Sequence, residues 1–241
     1  QDVGAGAPQV GHEHPELGAG VHLVFNKGRP VLPPEDVPAL VGDGGHFLGD
    51  RQILWSLRRG TTAQLRAEYR AQIERFITDV KRPPDHLDNH CAVSYTRPDR
   101  FTVTLELAQE YGLPIRAPFG DDLEEQAAFL AERNGLPRWL VRWQGARFRR
   151  RIDGTGIGRP NAFLMQFSTP GNRTPEYLLS LLDALHEGWL SELLAHPGYG
   201  EDWREQDLHT LLDPVVRERL NQPDIELATF ASAGMPESSA L

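Results

Sequence analysis

Short apolar runs alternate with helical stretches along most of this chain, and that alternation constrains the fold more than any other feature. Residues 21–25, Val-His-Leu-Val-Phe, are β-branched and aromatic and read as a short buried strand. Pro33-Pro34 then opens a loop running to about Asp50, long enough to suggest the border of a site. Thr61 or Thr62 is placed to cap a helix reaching about Asp79, with Leu65, Tyr69, Ile73 and Phe76 recurring at helical spacing. Helices over residues 99–111 and 121–134 stop at Gly112 and Gly135, as helices do where a left-handed cap is needed. Strands are expected at 113–116, 162–167, 189–195 and 225–230, with a helix opening at Thr174-Pro175-Glu176 and another over 205–221. Strands and helices in alternation, without an internal repeat, predict a parallel sheet that is either open or closed into a barrel. The chain has 241 residues, enough for one α/β domain of that size, here taken as residues 1–231 with a flexible tail at 232–241.

The densest chemistry lies in Pro84-Asp85-His86-Leu87-Asp88-Asn89-His90-Cys91-Ala92-Val93-Ser94. It gathers two histidines and the single cysteine of a chain with nine histidines. In an extended segment His86, Asp88 and His90 share one face. Two imidazoles with a carboxylate between them can supply metal ligands and the group that orients one of them. A turn whose polar groups cap a neighbouring helix accounts for the same residues equally well. His196, in His196-Pro197-Gly198-Tyr199, falls at the end of an expected strand, as does Arg116. Parallel α/β folds collect their chemistry at the C-terminal ends of strands.

Net charge excludes one class of partner. At −9 the chain lacks the basic surface that phosphate backbones require, so no nucleic-acid partner is expected. Arg142, Arg147, Arg149, Arg150 and Arg151 form a local basic cluster. It reads first as a solvated face and second as a site for an anionic substrate group. One cysteine rules out an intrachain disulfide and fits a reducing compartment. No apolar run approaches ~18 residues, and the chain shows no charged-then-apolar leader. A soluble, cytoplasmic protein without a membrane partner is the resulting expectation, with room for a homodimer.

Taken in order, the motifs Gly20-Val21-His22-Leu23, Pro84-x-His86-Leu87-Asp88-x-His90, Leu113-Pro114-Ile115-Arg116 and Glu192-Leu193-Leu194-x-His196-Pro197-Gly198-Tyr199 resemble one family. It is the YdjC/ChbG-like carbohydrate deacetylases. Gly28-Arg29-Pro30, the Gln72-Ile73-Glu74-Arg75-Phe76 helix, and Arg204 followed by Asp207-Leu208 extend the likeness from Glu13 to Phe230. The resemblance implies a distorted (β/α) barrel and a small-molecule or oligosaccharide substrate bearing an acetamido group. It also implies a divalent metal, magnesium or zinc, held by an aspartate and two histidines. By motif those histidines are His22 and His90, and Asp2, in Gln1-Asp2-Val3-Gly4, is the third ligand and a member of the catalytic group. His196 becomes the acid that protonates the leaving amine, Arg116 a substrate-binding or carboxylate-bracing cation, and Asp88, His86 and Cys91 the groups around the ligands.

Two departures bear on the chemistry. Gln1 stands where the family carries the aspartate that acts as general base, and Cys91, Ala92 and Ser94 stand where it continues with histidines. A rival expectation follows: a metal-binding relative with altered, non-hydrolytic chemistry, or one that only binds a sugar. The family also has a strand and a helix ahead of Gly20-Val21-His22-Leu23 that find no room here, so segments are expected to be missing between Gly6 and Gly18.

Overall fold

The structure, a computed structural model, describes residues 13–14, 16–55, 60–90, 95 and 97–233. Gln1, Asp2, most of the stretch from Gly6 to Gly18, Cys91, Ala92, Ser94 and the tail from residue 234 lie outside the described residues. The expectations that fall on them stand as they were.

Among the described residues four strands of three residues each are formed. β1 (Val21–Leu23) pairs in parallel with β2 (Leu87–Asn89), and β3 (Ala162–Leu164) pairs in parallel with β4 (Ser191–Leu193). Between the strands of each pair the chain runs through helices, as parallel pairing demands. The α-helices among the described residues are α1 (Asp50–Trp55), α2 (Thr61–Val80), α3 (Pro98–Tyr111), α4 (Leu123–Asn134), α5 (Arg138–Asp153), α6 (Pro175–Asp183), α7 (Asp202–Leu212) and α8 (Pro214–Leu220). The expected strand around Ile115 reduces to one parallel bridge with Leu87. Mixed α/β architecture rich in helix is therefore what the described residues show, with strand pairs too short to close a barrel by their own ladders. Side chains take over where the ladders stop. Gln72 binds both backbone groups of Val24, and Asn161 Oδ1 accepts from the Leu190 N–H.

Several expected elements change for identifiable reasons. No strand forms over residues 225–230. Thr229 and Ser232 instead exchange local hydrogen bonds, which compete with extended pairing. The strand beginning at Ala162 gives way to a 3₁₀ turn at Met165–Ser168. The helix expected over 205–221 is two helices, because Asp213 caps Val215 and Val216 and Pro214 opens a new first turn. α2 starts without a threonine cap; Gly60, at φ 78°, is the flanking residue. The basic cluster lies on the unanticipated helix α5, where Arg138 and Arg142 pair with Glu124 and Arg149 with Asp121.

The chain falls into two compact units, each assembled from separate stretches. The first takes the described parts of Gln1–Ile115, Ile152–Gly158 and Thr229–Leu241. Its core holds Leu23, Phe25, Leu65, Tyr69, Ile73, Leu87, Phe101 and Leu107, all fully buried. Leu65, Tyr69 and Ile73 are the stripe that makes α2 a helix here, and Phe76 ends it half-buried. The second unit takes Arg116–Arg151 and Arg159–Ala228. One of its clusters packs Phe119, Leu123, Ala127, Ala131 and Val141; another packs Phe167, Leu178, Leu182 and Val216.

Candidate active site

β1 and β2 align His22 with Asp88 across the parallel register. Val21 and Leu23 turn into the core, which sends the His22 side chain the other way, 42 % exposed. Helix α2 fixes the exit of β1 through Gln72, whose amide accepts from the Val24 N–H at 3.0 Å and donates to the Val24 carbonyl at 2.7 Å. Helix α3 supports β2, with the Thr104 hydroxyl donating to Asn89 Oδ1. The His90 N–H donates to the Leu23 carbonyl at 2.8 Å, so the strand pairing itself carries His90 to the neighbourhood of His22.

The three side chains form a line. His22 Nδ1 lies 2.8 Å from Asp88 Oδ2, a carboxylate only 8 % exposed. An ionised carboxylate only accepts, so Nδ1 carries the proton and the Nε2 lone pair of His22 is left facing outward. That Nε2 lies 3.1 Å from His90 Nδ1, with the rings 5.2 Å apart and nearly perpendicular. Burial first, and then His22 and Lys27, hold the His90 imidazole below its ordinary range, while Asp50 and Asp88 pull it partly back. His90 therefore favours its neutral, ligand-competent form.

The pair suits a metal ion. Two nitrogens each ~2.0–2.1 Å from one ion, at tetrahedral or right angles, lie ~2.8–3.4 Å apart, and the observed separation falls inside that interval. A carboxylate behind one imidazole is the usual way its tautomer and ring orientation are fixed for ligation. His22 and His90 are the residues that could hold the ion. Among the described residues no group of three or more histidine, cysteine, aspartate or glutamate side chains is arranged to complete such a site.

His86 keeps different company. Although it alternates with Asp88 and His90, it precedes β2, stacks on Phe230 at 4.0 Å and holds Asp85 at 2.7 Å through Nδ1. Gly20 lies so close to the ring that a Cβ there would be 2.2 Å from it.

In the second unit, Arg116 forms an ion pair with Glu192 at 2.6 Å, both side chains largely buried, with its guanidinium over the Phe163 ring. Arg116 is thus set against a carboxylate, one of the two arrangements expected of it. His196 is exposed, its backbone N–H donates to Asp207 Oδ2 at 2.7 Å, and its ring meets Trp203 edge-on at 5.6 Å. Sequence reasoning did not find the roles of Gln72, Thr104, Glu192, Arg173 and Trp203. Gln72 and Asp207 lay within recognised motifs, yet nothing in one dimension names their partners.

Comparison with known proteins follows the same lines. The family model described as YdjC-like protein matches residues 5–222. A carbohydrate deacetylase of Geobacillus stearothermophilus is 29% identical over 234 residues, covering 93% of this chain and 79% of that protein. A chitooligosaccharide deacetylase of Salmonella typhi is 27% identical over 242 residues, covering 96% and 78%. A solved structure from Enterococcus faecalis, described as a putative cellobiose-phosphate cleavage protein, superposes with a TM-score of 0.75 at 25% identity, over 95% of this chain and 82% of that one. The four motifs, the parallel pairing that joins His22 to His90 and the match over most of the length agree: the chain belongs to the YdjC-like family.

Proposed function

We propose that the chain is a metal-dependent N-deacetylase acting on an acetamido group of an amino sugar, a chitooligosaccharide or a glycosylated metabolite. The carrying observation is the 3.1 Å approach of His22 Nε2 to His90 Nδ1, with Asp88 holding the His22 proton on the far nitrogen. Its relatives' names, carbohydrate deacetylase and chitooligosaccharide deacetylase, support this reaction class and an acetylated-sugar substrate. The parallel strand pairs and helical crossovers are the arrangement a distorted (β/α) barrel is built from, and that is the architecture we adopt.

In this reading His22 and His90 hold a divalent cation, magnesium or zinc, with Asp2 as the third ligand. The chemistry such a cation supplies when bound is Lewis acidity toward an amide carbonyl and toward water. Asp88 keeps His22 in the tautomer that presents Nε2. His196 delivers a proton to the nitrogen of the departing amine, a role suited to an exposed imidazole. Arg116 and Glu192 pair with each other beside β3 and β4.

The test has two arms on the full chain: elemental analysis for bound metal, then acetate release from a panel of N-acetyl sugars including N,N′-diacetylchitobiose. Metal with acetate release is the expected result. Metal without acetate release from any substrate would move the protein to the non-hydrolytic reading, and absence of both would overturn the assignment. Replacing His196 with Asn should leave metal content unchanged and lower turnover by ~10²-fold or more.

A further inference from the structure

We infer that Asp207 and Arg173 are positioning residues for His196, forming a buried clamp that fixes the direction of an exposed imidazole; the inference rests on the reading of His196 as the acid. Asp207, on α7, is fully buried, and its Oδ2 accepts from the His196 backbone N–H at 2.7 Å. Its Oδ1 faces Arg173 Nε at 3.0 Å, an ion pair in which the arginine side chain is only 10 % exposed. The same guanidinium donates to the Ser168 carbonyl and lies over the Trp203 ring, 5.3 Å from its centroid. Trp203 in turn presents its ring to the His196 imidazole. Thus Arg173 braces two groups that touch His196: the carboxylate on its backbone and the aromatic ring beside its side chain.

The turn after β4 is tied to α7 at further points. The Gly198 N–H donates to the Arg204 carbonyl at 3.3 Å, and the Gly200 N–H donates to Glu205 Oε1 at 2.9 Å. Burying a carboxylate and a guanidinium costs desolvation that their attraction often fails to recover, so a buried pair is weak evidence of a device for stability alone. Here the pair terminates on the backbone of a residue whose own side chain stays exposed. Fixing that side chain's direction is the function left for the clamp. Proton transfer demands it, because a misplacement of ~1 Å can lower a rate by ~10²-fold.

The experiment combines kinetics with NMR on the metal-loaded full chain, with N,N′-diacetylchitobiose as the substrate probe. Asp207→Ala should lower kcat by ~10–10²-fold with KM and metal content unchanged. The double variant Asp207→Ala with His196→Asn should be no slower than His196→Asn alone, because the clamp acts through the imidazole. Multiplicative losses would overturn the proposal, since Asp207 would then act elsewhere. Arg173→Lys keeps the charge and loses the planar fork, and serves as the second probe if Asp207→Ala fails to fold. It should show the same kcat loss and the same non-additivity. A separate readout covers failure of the acid reading: the amide resonance of His196, whose proton faces a carboxylate, should move upfield in Asp207→Ala or Arg173→Lys. Unchanged turnover in His196→Asn with a shifted amide would remove the acid role and keep the clamp. An unmoved amide would remove the clamp, whatever the kinetics.

Discussion

Replacing Asp88 with Asn isolates the step by which the fold prepares His22 for metal. The substitution preserves shape and leaves the 3.1 Å His22–His90 approach sterically possible. It changes what His22 Nδ1 faces. If the amide turns its oxygen to the ring, a charge-assisted hydrogen bond worth about 1.5–3 kcal/mol becomes a neutral one worth about 0.5–1.5. If it turns its nitrogen, Nδ1 must accept, the proton moves to Nε2, and the lone pair meant for the ion is gone. Asp88 is only 8 % exposed, so little water is at hand to restore the lost acceptor. The two cases bracket a loss of about 10–100-fold in metal affinity, or ~1.4–2.7 kcal/mol. Calorimetric titration of the metal-free full chain with Zn²⁺ measures it directly, and thermal midpoints of the metal-free proteins show that both are folded. His86→Asn is the control, since His86 pairs with Asp85 and Phe230 rather than with His22. A folded Asp88→Asn protein binding zinc within ~2-fold of the parent, or a control as impaired as Asp88→Asn, would refute the reasoning.

Other positions give independent checks. Gly20→Ala places a methyl against a His86 ring already pinned between Asp85 and Phe230, and overpacking of this kind costs about 1–3 kcal/mol, read as a fall in Tm of ~2–10 °C. Glu68 is fully buried while accepting from the Val31 and Leu32 N–H groups and from Gln72, and burial holds its carboxyl above the usual value. With a folded pKa above the unfolded 4.5, its contribution to stability is complete below that pH and is lost as pH rises through the folded value. Urea unfolding at several pH values should show this decline in the parent and not in Glu68→Gln; parallel curves would sink the argument. Lys81 closes α2 at φ 62°, a left-handed conformation that glycine adopts freely, so Lys81→Gly should raise stability by about 0.5–1 kcal/mol in the same urea assay.

Helices announced themselves where an apolar stripe ran uninterrupted, as along Leu65, Tyr69 and Ile73 in α2. α5 did not. Its buried face is Val141, Gly145 and Ile152, with a glycine at the position packed on Phe119, while Trp139 and Trp143 point outward. The apolar signal there is reversed, so the periodicity hides. Strands of three residues hold too little of a two-residue period to fix their ends, which is why residues 189–195 shrank to Ser191–Leu193 and residues 225–230 gave none. For the site, His22, Asp88 and His90 were legible as residue types. That Asp88 meets His22 follows from a parallel register between segments far apart in sequence, which local pattern does not encode. Arg116 pairing with Glu192 and Asp207 holding the His196 backbone are likewise tertiary facts.

The unit that carries His22 and His90 is not finished by the first half of the chain. Residues 152–158 and the stretch from Thr229 return to it after long excursions through the second unit. Phe230 supplies the face on which His86 stacks, and a Cβ at Gly18 would meet Thr229 and Asp85. During synthesis at ~5–20 residues per second, β1 and β2 therefore leave the ribosome many seconds before their last packing partner exists. Contacts so distant along the chain raise contact order and slow folding. In the interval His86 and the ends of β1 and β2 are open to chaperones and to unproductive pairing. The packing around His86 is thus completed only after translation has passed α8, coupling maturation of this unit to synthesis of the stretch from Thr229.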